Sequence, residues 1–358
     1  MQATPLRVAI EACTLTLSSG GLARYTAELS TALARCFPED EYFLTSDRPF
    51  AMPKPSLPNL HRGGEPRNAA ERRWWLYGLS RELRRLRAEV VHGPDFAVPY
   101  LSLTPSVLTL HDLSPWMDRN WHRAAHRVQW RTPVLLRLGL ATMIITPSQS
   151  VRTAAIARFG VHPSRVVAIP EAAPTWMRPA PEDPPPTSAP YFLFVGTLEP
   201  RKNVPMLVEA WREVRRCHAV DLMIAGRRRE DFAPIAEESG LHVLGEVPDA
   251  ALPALYTHAL AMVYPSQYEG FGLPVLEAMQ CGACVIGSPA VAEAAGDAGV
   301  LASGGAQLVE AMRAAIENSE WLAECRARSL RRAAEFSWER TARMTHEVYE
   351  EARRRFAA

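Results

Sequence analysis

Short apolar runs alternate with longer amphipathic stretches along the whole chain. Short apolar runs are typical of strands buried in a parallel sheet, and the longer stretches show the period of helices. The sequence therefore predicts repeated βα units. In the first half the predicted strands are Leu6–Ile10, Val90–His92, Val107–Leu110 and Met143–Thr146, and the predicted helices are Leu22–Cys36, Trp74–Arg87 and Ser150–Arg158.

A proline-rich segment interrupts this alternation, with eight prolines between residues 170 and 190. Because proline lacks an amide hydrogen and fixes φ, the segment predicts a semi-rigid linker. The alternation then resumes. The predicted strands there are Tyr191–Val195, Leu222–Ala225, His242–Leu244, Ala261–Tyr264 and Cys284–Ile286, and the predicted helices are Val204–Arg216, Ala250–His258, Leu273–Gln280 and Gln307–Asn318.

The pattern predicts an α/β protein with two Rossmann-like domains facing each other across a cleft. The first domain covers residues 1–170, the linker 171–190 and the second domain 191–336. A last helix, near Glu339–Phe356, needs an apolar partner, because one of its faces carries Met344, Val348 and Ala352.

Composition and charge narrow the class of protein. The chain has 358 residues, of which 47% are hydrophobic and 22% charged, which excludes a disordered chain. Residues 1–170 hold 21 Lys and Arg against 13 Asp and Glu, whereas the remainder holds 19 against 26. The basic half indicates either an anionic partner or solvated arginine-rich helices. A nucleic-acid partner is not predicted, since no binding motif accompanies the charge.

The start of the chain predicts a strand rather than a signal peptide, and no apolar run reaches 18 residues. We therefore expect a cytoplasmic protein whose six cysteines are free thiols. Cys281 and Cys284 follow the end of a predicted helix, where the helix dipole does not favour a thiolate. The pair is therefore not predicted to carry out redox chemistry or to bind a metal ion.

A basic amphipathic segment, Glu71–Arg87, allows two interpretations. Such a helix can lie on an anionic membrane, which would place the protein peripherally at the inner face. Its apolar positions equally fit a core-facing stripe; they are Trp75, Leu79, Leu83 and Leu86.

The segment Tyr264–Gly282 carries the most informative chemistry. A predicted strand ends at Tyr264, a glycine-containing loop follows, and a helix begins at Leu273. Free amides at a helix start bind anions, and glycine lets a ligand approach the backbone. Glu269 in the loop and Glu277 inside the helix can then face one ligand.

A second segment, Val195–Asn203, places Gly196 after a buried strand and Arg201 and Lys202 before the next helix. Adjacent cations at this position suit a diphosphate, because charge-assisted hydrogen bonds are strong. Asn203 is predicted to cap the helix that follows.

Two weaker signals lie in the first half. Gly20 and Gly21 open a helix after the first strand, which favours phosphate binding. The glycines form neither a dinucleotide fingerprint nor a P-loop, so neither NAD nor ATP is favoured as a ligand of this loop.

His111 follows a strand and is predicted to point into the cleft. Three other histidines remain scaffold or acceptor-side candidates; they are His92, His122 and His126.

Together these segments resemble the retaining glycosyltransferases of family 4, which have the GT-B fold, and are most similar to bacterial GDP-mannose-dependent mannosyltransferases. The motifs are Glu269-x7-Glu277 around GFGLP, VGTLEPRKN, SSGGLARYTAEL and the His111–Asp112 pair. The resemblance implies that residues 337–358 return to the first domain.

The resemblance also implies roles for the candidate residues. Glu277 would hold the ribose hydroxyls of a donor nucleotide, while Glu269 and His111 would contact the donor sugar. Arg201 and Lys202 would neutralise the leaving diphosphate. The remaining donor contacts would come from Gly20, Gly21, Gly196 and the amides of Phe271, Gly272 and Leu273.

We therefore expect retaining, metal-independent transfer of a hexosyl group, mannosyl favoured, from a nucleoside-diphosphate sugar to a hydroxyl of a glycan or lipid-linked acceptor. The chain contains no Asp-x-Asp, and no cofactor is expected beyond the donor. Other possibilities stay open: UDP-glucose or UDP-N-acetylglucosamine as donor, an epimerase or hydrolase on the same scaffold, and a non-catalytic binding module.

Overall fold

Parallel strands form two separate sheets, which confirms the predicted α/β class. The computed structural model describes residues 5–17, 20–101, 103–118, 120–121 and 125–357. The chain divides into two units. Unit 1 comprises the described residues up to Glu171 and those from Ser337 onward, and unit 2 comprises Ala172–Phe336.

Unit 1 contains a seven-stranded parallel sheet in the order β3-β2-β1-β4-β5-β6-β7. Its strands are β1 (Arg7–Glu11), β2 (Glu41–Thr45), β3 (Leu60–Arg62), β4 (Val90–Gly93), β5 (Ser106–Thr109), β6 (Met143–Thr146) and β7 (Val166–Ala168). Its first helices are α1 (Gly21–Cys36), α2 (Leu79–Leu86), α3 (His126–Arg137) and α4 (Gln149–Phe159).

The segment Glu71–Arg87 packs into the core of unit 1 rather than presenting its apolar face outward. A π-helical turn, Trp74–Gly78, leads into α2. Leu79 and Leu83 are 0% and 1% exposed and pack in a cluster that includes Val91. The core-facing interpretation of this segment is therefore confirmed, and its apolar face is not available to a membrane.

The last helix of the chain, α11 (Trp338–Ala357), belongs to unit 1 and packs against α1. Val348 and Ala352 of this helix are buried. Tyr349 meets His92 of β4 with 2.7 Å between the tyrosine oxygen and Nδ1, and the other ring nitrogen of His92 lies 2.7 Å from the Thr109 hydroxyl. His92 is therefore a fully buried scaffold residue.

Unit 2 contains a six-stranded parallel sheet in the order β10-β9-β8-β11-β12-β13. Its strands are β8 (Tyr191–Val195), β9 (Asp221–Ala225), β10 (Leu241–Gly245), β11 (Ala261–Tyr264), β12 (Cys284–Gly287) and β13 (Val300–Leu301). Its helices are α5 (Val204–Arg215), α6 (Leu252–His258), α7 (Leu273–Gln280), α8 (Ala292–Ala295), α9 (Gly305–Glu317) and α10 (Ser319–Ala333), and α11 (Trp338–Ala357) follows in unit 1.

The proline-rich segment is not a free spacer along its whole length. Ala173 and Met177 are 5% and 0% exposed and belong to the core of unit 2. The Gln280 amide donates hydrogen bonds to the carbonyl oxygens of Pro174 (2.7 Å) and Met177 (2.6 Å). Buried apolar side chains and satisfied carbonyls therefore fix the first part of the predicted linker to α7.

Two glycines at the ends of neighbouring strands approach closely. A Cβ added to Gly226 would lie 1.9 Å from the Gly196 carbonyl oxygen, and Gly226 has a φ of +142°. We expect Gly226→Ala to lower the free energy of unfolding by more than about 2 kcal/mol, because backbone must move to relieve the clash. Thermal unfolding measures this loss. The control Gly305→Ala meets open space and should leave stability unchanged; equal stability of both variants would contradict the prediction.

Candidate active site

The candidate residues of unit 2 gather where β8 and β11 end. β8 continues through Gly196 to a short helical turn, Pro200–Lys202, and β11 ends at Tyr264. Because the carboxyl ends of parallel strands meet at one edge of a sheet, these two connections become neighbours. The amide of Gln267 donates to the Arg201 carbonyl oxygen over 2.7 Å and joins the two loops.

Lys202 is buried, with 6% of its surface exposed, and its ammonium has two partners. Nζ donates to Glu269 Oε1 over 2.6 Å and to the Tyr264 hydroxyl over 2.5 Å. Tyr264 in turn stacks on Phe194 of β8, with 5.5 Å between ring centroids. The apolar strand ends therefore fix the place of a buried cation.

Glu269 joins both cations of the predicted pair. Its Oε2 accepts a hydrogen bond of 3.1 Å from Arg201 Nη1, which also donates to the Tyr268 carbonyl oxygen over 2.9 Å. Burial raises the pKa of Glu269, but the charges of Lys202 and Arg201 outweigh burial and bring the pKa to about 2. The carboxylate is therefore ionised at every pH used for an assay.

A second carboxylate completes this charge network. Glu199 Oε1 lies 2.7 Å from Arg201 Nε, and its Oε2 accepts a hydrogen bond of 2.9 Å from Arg229.

The side chain of Asn203 does not cap α5, contrary to the prediction from the sequence. The residue adopts a φ of +53°, and its side-chain amide points to Met206 Sδ over 3.5 Å instead of a helix amide. The left-handed backbone, not a side-chain cap, turns the chain into the helix.

Glu277 lies inside α7 and is 2% exposed. Its Oε2 accepts a hydrogen bond of 3.3 Å from the Tyr256 hydroxyl. α7 begins at Leu273 directly after Gly272, whose φ of +107° is accessible to glycine. Pro274 has no amide hydrogen, and the Val275 and Leu276 amides donate to the Gly272 carbonyl oxygen over 2.9 and 3.3 Å. The Leu273 amide is therefore the donor of this first turn that suits an anion.

The remaining candidates lie in unit 1. His111 follows β5, and both of its ring nitrogens face acceptors: Nδ1 lies 3.0 Å from Glu171 Oε1, and Nε2 lies 2.7 Å from the Pro94 carbonyl oxygen. Burial lowers the pKa of His111, but the hydrogen bond and charge of Glu171 outweigh burial, so the pKa is raised. The imidazole is thus stabilised as a cation held within unit 1.

Two glycines predicted to bind phosphate lie at the start of α1. Gly20 is exposed and has a φ of +117°, and Gly21 is the first residue of the helix. Ser18 and Ser19 of the same motif lie outside the described residues, as does His122. His126 is the exposed first residue of α3.

Comparison with known proteins identifies the family. The description "Glycosyltransferase Family 4" matches residues 19–175, and "Glycosyl transferases group 1" matches residues 189–318. O-antigen chain mannosyltransferase B of Escherichia coli is 34% identical over 293 residues, covering 75% of each chain. The chain belongs to glycosyltransferase family 4.

Solved structures support the GT-B fold of this glycosyltransferase. Sucrose-phosphate synthase from Thermosynechococcus elongatus superposes with a TM-score of 0.76 at 18% identity, covering 97% of this chain and 98% of that one. Anabaena HepE, solved in complex with UDP and glucose, gives a TM-score of 0.69 at 16% identity, covering 97% and 100%. The family match and these superpositions together make the protein a glycosyltransferase with the GT-B fold.

Several residues of the glycosyltransferase site were not predicted from sequence. Tyr264 was assigned only as the end of a strand, although its hydroxyl contacts Lys202. Glu199 and Glu171 each pair with a predicted residue, Arg201 and His111 respectively. The sequence could have indicated Glu199 as a site residue, because it lies two residues before Arg201 in the same motif. Glu171 lies 60 residues from His111, so only the fold brings them together.

Unit 1 of the glycosyltransferase also buries a carboxyl at the end of β1. Glu11 is 1% exposed, and its Oε1 accepts hydrogen bonds of 3.2 Å from Trp74 Nε1 and from the Cys13 amide. Burial raises the pKa of Glu11 from 4.5 to about 7. The folded state therefore binds this proton more tightly than the unfolded chain, and stability falls as pH rises from 4.5 to 7.

We expect Glu11→Gln to remove this loss of stability, since the amide keeps an acceptor but never ionises. Between pH 5 and pH 8 the free energy of unfolding of wild type should fall by about 2–3 kcal/mol more than that of the variant. Thermal unfolding of both proteins at both pH values measures the difference. Any cost of burying the amide hydrogens cancels between the two pH values. The exposed Glu65→Gln variant is the control, and an equal pH response of the Glu11 variant and wild type would contradict the prediction.

Proposed function

We propose that the enzyme transfers a mannosyl group from GDP-mannose to a hydroxyl of a glycan or lipid-linked glycan, with retention of configuration and without a metal ion. The observation that carries this proposal is the meeting of Lys202, Arg201 and Glu269 at one sheet edge beside the start of α7. Preference for mannose rests on the similarity to a mannosyltransferase.

The leaving diphosphate explains the cations. When the bond between the sugar C1 and the phosphate oxygen breaks, negative charge develops on the diphosphate. Arg201, Lys202 and the amides of the loop that ends at Leu273 would stabilise that charge in a preorganised arrangement, with Gly196 and Gly272 permitting close approach. Fixed cations at this place supply the charge neutralisation that a divalent metal gives in other enzymes.

The acceptor hydroxyl would attack the face from which the diphosphate leaves. A bond forms between the acceptor oxygen and C1, the bond from C1 to the phosphate oxygen breaks, and the acceptor proton passes to the departing phosphate. Glu269 would orient the sugar hydroxyls, and Glu277 would hold the ribose through the carboxylate that Tyr256 positions. His111, with the glycine turn at Gly20 and Gly21, would contribute from unit 1.

A UDP-sugar is the second candidate donor, favoured by the UDP complex of a protein with the same fold. A thermal-shift panel of GDP-, UDP-, TDP- and ADP-sugars separates the candidates. A donor present at 100 times its Kd stabilises the fold by about 2.7 kcal/mol, so the correct base gives the largest shift. We expect GDP-mannose to do so; a larger shift with UDP-glucose or UDP-N-acetylglucosamine would replace it.

Turnover assays test the rest of the proposal. Wild-type enzyme should transfer mannose at an unchanged rate in the presence of a chelator. Activity that is lost in chelator and restored by manganese would contradict metal independence. Product formed from the donor alone, without an acceptor, would favour an epimerase or hydrolase instead.

A further inference from the structure

The outward face of α3 in unit 1 combines large apolar side chains with arginines. Trp130, Val134 and Leu138 are 62%, 43% and 67% exposed. Because they are spaced by four residues, they form one continuous stripe along the helix. Arg127 and Arg137 are exposed and lie three residues from Trp130 and Val134, so they flank the stripe.

The inward face of α3 is firmly held, which fixes the direction of the stripe. The Thr132 hydroxyl donates to the Phe96 carbonyl oxygen over 2.9 Å, and the Gln129 amide donates to the Pro115 carbonyl oxygen over 2.6 Å. Leu135 and Leu136 are 3% and 1% exposed. The inner apolar residues of α3 therefore pack into the core, and a second apolar face of the helix remains exposed to solvent.

The segment that carries this face has charges of one sign. Residues 125–170 contain six arginines and no aspartate or glutamate, and three of these arginines are exposed on α3 and α4: Arg127, Arg137 and Arg158. This stretch supplies α3 and α4, which contact each other in unit 1. Exposed arginines in a segment without carboxylates attract an anionic partner, and the exposed tryptophan is typical of a side chain placed at a membrane interface.

We propose that α3 is the surface by which this protein binds an anionic lipid bilayer. Trp130, Val134 and Leu138 enter the boundary between headgroups and acyl chains, while Arg127 and Arg137 contact the lipid phosphates. A nucleic acid would use the arginines but not the aliphatic stripe, so the bilayer accounts for more of the surface. This inference goes beyond the transfer reaction and does not depend on the identity of the donor.

Vesicle co-sedimentation of the full chain tests the proposal. Wild type should bind vesicles of equal parts phosphatidylcholine and phosphatidylglycerol at low salt, and should bind pure phosphatidylcholine much less. Trp130→Ser combined with Leu138→Ser should weaken binding at least about tenfold, because both apolar anchors are lost. Arg127→Glu combined with Arg137→Glu should weaken it by a similar factor, about tenfold.

Matched controls come from unit 2. Val243→Ser with Leu330→Ser removes two apolar side chains of comparable exposure, 47% and 44%, and Arg216→Glu with Arg331→Glu reverses two exposed arginines. Both controls should bind vesicles like wild type. The proposal is overturned if wild type ignores anionic vesicles or if the α3 variants bind them unchanged. It is also overturned if sedimentation velocity shows that the stripe mediates self-association instead, or if the wild type prefers DNA to vesicles.

Discussion

Lys202→Met should lower kcat by about 10²–10³-fold, the loss that follows removal of one preorganised donor from a developing anion. Methionine has a similar length and apolar stem, so it fills the space beside Tyr264 but carries no charge. The leaving diphosphate then loses a cation that lies 2.6 Å from Glu269 in the free enzyme. Steady-state kinetics with saturating donor and acceptor measure the effect.

The kinetic loss has to be separated from loss of the fold, because Lys202 is a partner of a buried carboxylate. Glu269 keeps Arg201 as its partner in the variant, which limits destabilisation. Lys202→Arg restores the charge and should recover part of kcat. Arg212→Met removes a cation from an exposed ion pair of the same unit and should leave kcat unchanged. Wild-type kcat in a folded Lys202→Met enzyme would refute the role.

The buried strands of unit 2 could be predicted closely from the sequence. β8 and β11 begin and end at the predicted residues, and so does α7. β8 and β11 are continuous apolar runs that stop at Gly196 and Pro265. α7 is an apolar stretch that starts after Gly272 and stops before Gly282, so the apolar runs together with glycine and proline mark the limits of these elements. Since Arg201, Lys202, Glu269 and Glu277 follow or lie within these elements, the sequence also indicated which side chains could meet.

Elements whose apolar pattern is short or interrupted were not predicted. β3 and β7 have three residues each, too few for a visible period. α3 contains Pro133, which normally argues against a helix interior, yet the helix continues through it. The prolines between 170 and 190 predicted a spacer, but the pattern did not reveal that Met177 packs into unit 2.

Contacts between distant residues form the other part that sequence could not supply. A motif shows that Glu269 and Lys202 are present but not that one carboxylate joins both cations, because that depends on the exact approach of two loops. In the free enzyme the cations proposed to bind diphosphate are therefore already paired with Glu269 and Glu199. A donor must compete with these internal carboxylates for the same charges.

This competition predicts opposite effects for one substitution, Glu269→Gln. The amide retains the shape and two polar groups but removes the charge that neutralises Arg201 and Lys202. We expect affinity for the nucleoside diphosphate to rise about tenfold, because both cations become available, which corresponds to about 1.4 kcal/mol. We expect kcat to fall about 10²-fold, because the sugar loses a charged partner in the transition state. Calorimetry measures the first effect and steady-state kinetics the second.

A rise in diphosphate affinity together with a fall in kcat distinguishes a catalytic carboxylate from a structural one. If Glu269 only held the loops together, its replacement would lower stability and displace Arg201 and Lys202 from their places, so diphosphate affinity and kcat would both fall. Glu238→Gln, which alters an exposed ion pair with Arg212, should change none of the three. Because the pKa of Glu269 lies near 2, wild type should keep its advantage over Glu269→Gln at every pH from 5 to 9. A kcat difference that vanished on mild acidification would show that the charge of Glu269 is not what the reaction uses.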